Sequence, residues 1–267
     1  MTRRLTVAKI GGSVLESSPA GEAVLDRIAA AWRAGEDVLV VHGGGAELSR
    51  WLSRLGIPSR FVGGQRATSE EVLQVALMVL GGLVNGQIVE GLVRRGCAAI
   101  GLTGADGSGT LAVPAGDGLG AVGRVASVNA RFYRDLLAAR RLPVVASLAL
   151  GPDHGFLNVN ADLMAAALAA GLRAGRLLFM TDVEGVAAED GSVIRTLTRR
   201  GLDRLIESGA AHDGMIPKLL ACRQALRSRV PEIRIAPRFP GSPGAVCGTR
   251  IVAAPAARSA RPGGGLP

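Results

Sequence analysis

Short apolar runs alternate with longer stretches whose apolar positions recur every three or four residues. Leu5 to Ile10 predicts a strand, Gly11-Gly12 a turn, and Pro19 to Ala34 a helix. Asp37 to Val41 predicts a second strand, followed by Gly43-Gly44-Gly45 and a helix to Leu55. A loop over Phe61 to Thr68 leads into a long helix from Ser69 to Arg95, and Ala98 to Leu102 is a third strand. Gly104 to Ser127 mixes glycine with short β-branched runs and predicts hairpins. A helix over Ala130 to Arg140, one buried strand over Leu142 to Leu150 and an alanine-rich helix over Ala161 to Leu172 follow. Arg176 to Thr181 opens another strand, with a hairpin reaching Thr198. Helices at Arg199 to Ser208 and Met215 to Arg229 precede strands near Ile233 and at Thr249 to Val252.

Strands alternating with helices imply an α/β protein, a sheet of mostly parallel strands with helices packed on it. Ligands on such sheets bind at the carboxyl ends of the strands, where four of the motifs below fall. A new strand–helix series starts after Ala174, which divides the chain into expected units 1–174 and 175–252. Residues 253–267, rich in Pro, Ala, Arg and Gly, are expected to be a disordered tail. Val75 to Val93 is nearly apolar but carries Asn85, Gln87 and Glu90, so a buried helix is favoured over a membrane span.

Composition narrows the picture. Hydrophobic residues make up 48% and aromatic ones 3%, so the core must be aliphatic. Cys97, Cys222 and Cys247 have no metal or redox spacing, and no secretory signal is apparent, so a cytoplasmic protein is expected. The net charge is +9, yet the arginines are scattered and few aromatics are available to stack on bases. The charge therefore points to an anionic small substrate, with neither nucleic acid nor membrane as partner. Of 31 basic residues only two are lysines, Lys9 and Lys218, and both stand beside glycine-rich turns. Lysine offers a compact point charge where a planar guanidinium does not fit. Two such charges beside exposed backbone N–H groups suit a transferring phosphoryl group.

The motifs agree with that chemistry. In Lys9-Ile10-Gly11-Gly12-Ser13 the glycines allow close backbone approach and N–H groups aimed at an anion. His42-Gly43-Gly44-Gly45 is a second anion nest, with His42 read as a hydrogen-bonded structural residue. Arg66, inside Phe61-Val62-Gly63-Gly64-Gln65-Arg66-Ala67-Thr68, can clamp a carboxylate in bidentate fashion. Asn158, Asn160 and Asp162 precede or open a helix; they serve either recognition or N-capping, and Asp162 can bridge the two lysines. Gly118, Gly120 and Gly123 match a dinucleotide-binding spacing, but strand rather than helix follows, so that reading fails. Neither lysine has P-loop spacing, and His42, His154 and His212 have no zinc spacing.

These residues, with Met78 to Asn85, Thr181 to Val186, Asp213 to Lys218 and Gly248 to Ile251, resemble the amino-acid kinase family, closest to its acetylglutamate kinase branch. The resemblance implies the amino-acid kinase fold, a three-layer sandwich around a mostly parallel open sheet. It implies phosphoryl transfer from MgATP to the side-chain carboxylate of N-acetyl-L-glutamate in arginine synthesis. A sister kinase acting on another acceptor, such as carrier-protein-bound aminoadipate, stays open. Lys9 and Lys218 would flank the transferring group, with Asp162 orienting them. Gly11 and Gly12 would offer backbone to phosphate. Gly44, Gly45, Arg66 and Asn158 would hold the acceptor. Asp182, Val183, Glu184, Gly185, Val186 and Ala187, with Ala210, Ala211 and His212, would line the ATP site. No protein-held metal is expected beyond the Mg2+ of the nucleotide. Units 1–174 and 175–252 become an acceptor-binding lobe carrying a dimer interface and an ATP-binding lobe. Lys9 stands too near the first residue to leave room for the N-terminal helix of arginine-inhibited hexamers, so a homodimer insensitive to arginine is expected.

Overall fold

A computed structural model describes residues 3–11, 19–181, 183–188, 190–208, 215–237 and 248–253. The first half runs β1 (Leu5–Ile10), α1 (Pro19–Arg33), β2 (Asp37–His42), α2 (Gly45–Arg54), β3 (Phe61–Val62) and β4 (Gln65–Arg66). A long helix follows as α3 (Glu70–Ala76), a π-helical segment (Leu77–Val84) and α4 (Asn85–Val93). Then come β5 (Ala99–Thr103), β6 (Thr110–Pro114), β7 (Val122–Val128), α5 (Ala130–Ala138), β8 (Leu142–Ala146), β9 (Leu148–Leu150) and β10 (Phe156–Val159). The chain continues with α6 (Ala161–Gly171), β11 (Arg176–Met180), β12 (Thr196–Thr198), α7 (Arg199–Glu207), α8 (Met215–Arg227), β13 (Ile233–Ala236) and β14 (Thr249–Val252).

Eight strands form one sheet in the order β12-β14-β13-β11-β1-β2-β8-β5, parallel except for the β13–β14 pair. β1 lies at its centre, parallel to both β2 and β11, so the sheet runs unbroken through both halves of the chain. Its central strands β11, β1, β2 and β8 are buried on both faces, and side-chain alternation divides the core in two. Val7, Leu39 and Val41 join α6 and α8 on one side. Ala8, Ile10, Val38 and Val40 join α1, α2 and the long helix on the other. The architecture is the expected three-layer α/β sandwich.

Four expectations are revised by the tertiary structure. The loop over Phe61 to Thr68 contains a hairpin: Gly63 (φ 56°) and Gly64 (φ 76°) make a two-residue turn with both φ positive, which suits the twist of paired strands. The run Leu142 to Leu150 is two strands rather than one, because Ser147 breaks it and β9 leaves the main sheet for a small closed barrel, β10-β7-β6-β9. β10 carries Asn158 and was not anticipated. The strand opened at Arg176 does not form a hairpin with the segment ending at Thr198. β12 instead pairs in parallel with β14, and among the described residues the antiparallel pairing in the segment between β11 and β12 is local, centred on a bridge between Ala187 and Val193. The proposed tail, but for Ala253, lies outside the described residues.

Among the described residues, Glu70–Val93 is long and apolar enough by composition to cross a membrane. Here it is a layer of the sandwich, with Val72, Val75, Val79, Val84, Ile88 and Leu92 buried. Asn85 within it is buried and bonded to strand carbonyls.

Candidate active site

Lys9 is the fifth residue of a strand whose odd-numbered positions face α6 and α8. Parity therefore sends its side chain to the same layer as Val7. There it meets Asp162, in the first turn of α6, with 2.9 Å between Lys9 Nζ and Asp162 Oδ1. Lys218, in the first turn of α8, approaches the other carboxylate oxygen, with 3.5 Å between Nζ and Oδ2. All three side chains are nearly withdrawn from solvent, so one buried carboxylate holds two ammonium groups from distant parts of the chain. The helix that carries Asp162 starts there because Asn160 caps it. Asn160 Oδ1 accepts from the Asp162 N–H (2.9 Å) and the Leu163 N–H (3.1 Å). The capping and bridging alternatives therefore hold together.

A cavity of about 310 Å³ opens beside this triad and ends at Arg66. Lys9, Gly44, Gly45, Arg66, Asn158 and Asp162 all line it. Arg66 enters from β4. It donates to Gly45 O (3.1 Å), Ser49 Oγ (2.7 Å) and Ser59 Oγ, and its guanidinium lies 4.7 Å from the centre of the Phe61 ring. Burial lowers its pKa from the usual arginine value. These partners are all neutral, and among the described residues no carboxylate pairs with it. A buried guanidinium with neutral partners on a cavity wall calls for an anion. Asn158 is fixed from the side, its Nδ2 donating to Thr68 Oγ1 (3.1 Å), while Thr68 Oγ1 donates to Arg66 O (2.8 Å). Arg66, Thr68 and Asn158 thus form one braced unit.

The glycine turn after β2 forms the cavity floor. Gly44 has φ 148°, and a Cβ there would lie 2.8 Å from Leu80 Cδ2 and 3.2 Å from Val84 Cγ2. Only glycine fits between this turn and the π-helical segment. α2 starts at Gly45 with no side-chain cap, so its first N–H groups are left for a ligand. At the other glycine turn, the Gly11 N–H donates to Met180 O (3.2 Å) and extends the β1–β11 ladder, so it does not face an anion. Gly12 lies outside the described residues.

Val183 to Ala187 leave the carboxyl end of β11, next to Gly11 at the end of β1. β11 flanks β1 on the side away from β2, and Val183 to Ala187 do not line the cavity. Gly185 has φ 149° and is pressed against Thr249, whose hydroxyl accepts from the Val186 N–H (2.8 Å). Asp182, Ala210, Ala211 and His212 lie outside the described residues.

Sequence reasoning passed over Ser147, Ser49 and Gln65, which also line the cavity. Ser147 had a signal, as the one polar residue in the apolar run Leu142 to Leu150. Ser49 stands one helical turn after Gly45, a spacing that places it on the same face.

The model of the amino acid kinase family matches residues 4–237. The chain belongs to that family. Among its relatives, the acetylglutamate kinase of Koribacter versatilis is 47% identical over 236 residues, covering 86% of this chain and 89% of that one. The acetylglutamate kinase of Geobacillus kaustophilus is 43% identical over 234 residues, covering 87% and 89%. Among solved structures, a Streptococcus mutans protein superposes with a TM-score of 0.84 at 28% identity, covering 94% of this chain and 99% of that one. An N-acetylglutamate synthase from Neisseria gonorrhoeae, solved with coenzyme A and N-acetyl-glutamate, gives 0.80 at 22% identity, covering 93% and 59%. The latter likeness is one of fold. The triad joining Lys9, Asp162 and Lys218 is thus set in an amino acid kinase framework.

Proposed function

We propose that this amino acid kinase transfers the γ-phosphoryl group of ATP to the side-chain carboxylate of N-acetyl-L-glutamate, the committed chemistry of an arginine-biosynthetic kinase. The observation that carries the reading is a cavity with cationic groups at both ends: Arg66 among neutral partners at one, and Lys9 bridged through Asp162 to Lys218 at the other. An acceptor with two carboxylates satisfies both. Arg66 takes the α-carboxylate, Asn158 and the backbone at Gly45 take the acylated amine, and the second carboxylate reaches the lysines, beside the Gly44 N–H. A carboxylate oxygen bonds to the γ-phosphorus as the bond to the β–γ bridging oxygen breaks, giving an acyl phosphate and ADP. The nucleophile is already an anion, so no general base is required. Lys9 and Lys218 offset charge on the phosphoryl oxygens, and Asp162 positions both.

The strand-end segment containing Val183 to Ala187 supports an ATP site in the 175–252 lobe, with 1–174 holding the acceptor. Among the described residues no three His, Cys, Asp or Glu side chains group to hold a metal. On this reading Mg2+ would be held on the nucleotide's phosphates with waters completing its shell. Cys97 and Cys222 are buried free thiols, which suits a reducing cytoplasm. A homodimer is supported by one surface. Met78, Leu83 and Val93 on the long helix are exposed, beside β5, which ends the sheet.

Trapping the acyl phosphate with hydroxylamine tests the reaction. Hydroxamate should form with N-acetyl-L-glutamate well above free glutamate or aminoadipate derivatives. Equal or greater yield from another acceptor would reassign the substrate. Light scattering reads the dimer.

A further inference from the structure

The glycine turn at the cavity floor is held by a buried relay that no substrate reaches. His42 ends β2 and is fully buried. Its Nδ1 lies 2.8 Å from Gly43 O, and its Nε2 lies 2.9 Å from Asn85 Nδ2. A carbonyl oxygen only accepts, so Nδ1 carries the proton and Nε2 offers a lone pair. Asn85 reinforces that assignment. Its amide nitrogen also faces Val144 O (2.9 Å) and, at a longer 3.3 Å, Leu102 O, so its two N–H groups serve His42 Nε2 and the strand carbonyls. Burial, opposed by the Gly43 bond and helped by the Lys9 charge, lowers the imidazole pKa to about 4, which keeps it neutral.

The peptide between Gly43 and Gly44 is planar and trans, so its C=O and N–H point in opposite directions. Fixing the Gly43 carbonyl toward His42 therefore turns the Gly44 N–H away from it. Gly43 and Gly44 both line the cavity, and among the described residues nothing accepts from the Gly44 N–H. The same long helix supplies the other restraint. Its π-helical turn, a feature often found at functional sites, presses Leu80 and Val84 onto Gly44 and ends one residue before Asn85.

We infer that His42 and Asn85 are positioning residues for phosphoryl transfer, locking the Gly43–Gly44 peptide so that the Gly44 N–H is aimed at the transferring group. The inference rests on the kinase reading above. Removing one preorganised donor costs on the order of 100-fold in turnover, and misaiming it costs part of that. In His42→Leu, kcat should fall on the order of 10- to 100-fold, with KM for ATP and acceptor changed less than about twofold. His42→Asn places an amide N–H where Nδ1–H stood and should recover most of the lost turnover. Equal loss in both variants, or wild-type kcat in a folded His42→Leu, would overturn the inference.

A second measurement does not depend on any variant folding. In wild-type protein labelled with 15N-histidine, His42 should show the Nδ1–H tautomer unchanged from pH 8 to pH 5.5. An Nε2–H tautomer or an imidazolium in that range would overturn the relay. Wild-type turnover is measured first. If N-acetyl-L-glutamate is not phosphorylated, the substrate reading fails, while the tautomer result still decides the relay.

Discussion

Replacing Asp162 by asparagine changes little in shape and removes the one charge that two buried ammonium groups share. At an effective dielectric of about 20, unit charges at the two observed separations, 2.9 and 3.5 Å, attract by roughly 5 kcal/mol each. Much of this is cancelled by the desolvation of the carboxylate, which the variant no longer bears. Breaking a buried pair while leaving its partner charged costs about 3–5 kcal/mol in practice. For a chain of this length that corresponds to a fall in Tm of roughly 6–20 °C. The sign of the ligand effect is more diagnostic than the size. Without Asp162 the negative charge between the two ammonium groups is gone, so phosphate or sulfate should raise the Tm of Asp162→Asn by several degrees more than that of the wild type. Differential scanning fluorimetry across an anion titration, at constant ionic strength set with chloride, reads this. A variant within about 2 °C of wild type, with no extra response to phosphate, would refute the shared-charge argument.

Three further outcomes follow from the same geometry. Lys218→Ala should lower kcat by a factor on the order of 100 or more in the coupled ADP assay, because an electrostatic stabiliser of the transition state is lost. Retention of normal turnover would remove Lys218 from the chemistry. Arg66→Lys should chiefly raise KM for the acceptor, since a point charge cannot hold Ser49, Ser59 and Gly45 O while clamping a carboxylate; a pure kcat effect would contradict this. Stability should fall with acid in two stages. His42 has a folded pKa near 4 against an ordinary 6.5, so the unfolded chain binds its proton first, and about 3 kcal/mol is lost as pH falls from 6.5 to 4. For Glu232, burial raises the carboxyl pKa, but bonds from Arg234, Arg176 and Arg4 outweigh it and hold the pKa at about 2. Its contribution is lost lower, between 4.5 and 2, and is reduced by partial exposure. Urea unfolding at pH 7.5, 6.0 and 4.5 measures the first stage, and a flat profile would mean that His42 is protonated or wet in the folded state.

The alternation of apolar runs determined the α/β class, because a strand buried on both faces and a helix buried on one leave different periods in the chain. It also placed Lys9 and the triple glycine at strand ends, and it marked Arg66 and Asp162 as charged residues in unusual company. What it could not supply was any relation between side chains far apart in sequence. That Lys9 and Lys218 meet at one carboxylate depends on strand parity in β1 and on α6 and α8 lying over the same face of the sheet. The break at Ser147, the strand carrying Asn158 and the pairing of β12 with β14 arise because distant backbone supplies the hydrogen-bond partners, and no local propensity records a partner's position. The π-helical turn is a similar case. Its residues read as ordinary α-helix; it packs against Gly44 and leads into Asn85, which bonds His42 and the carbonyls of β5 and β8, contacts that exist only once the sheet has formed.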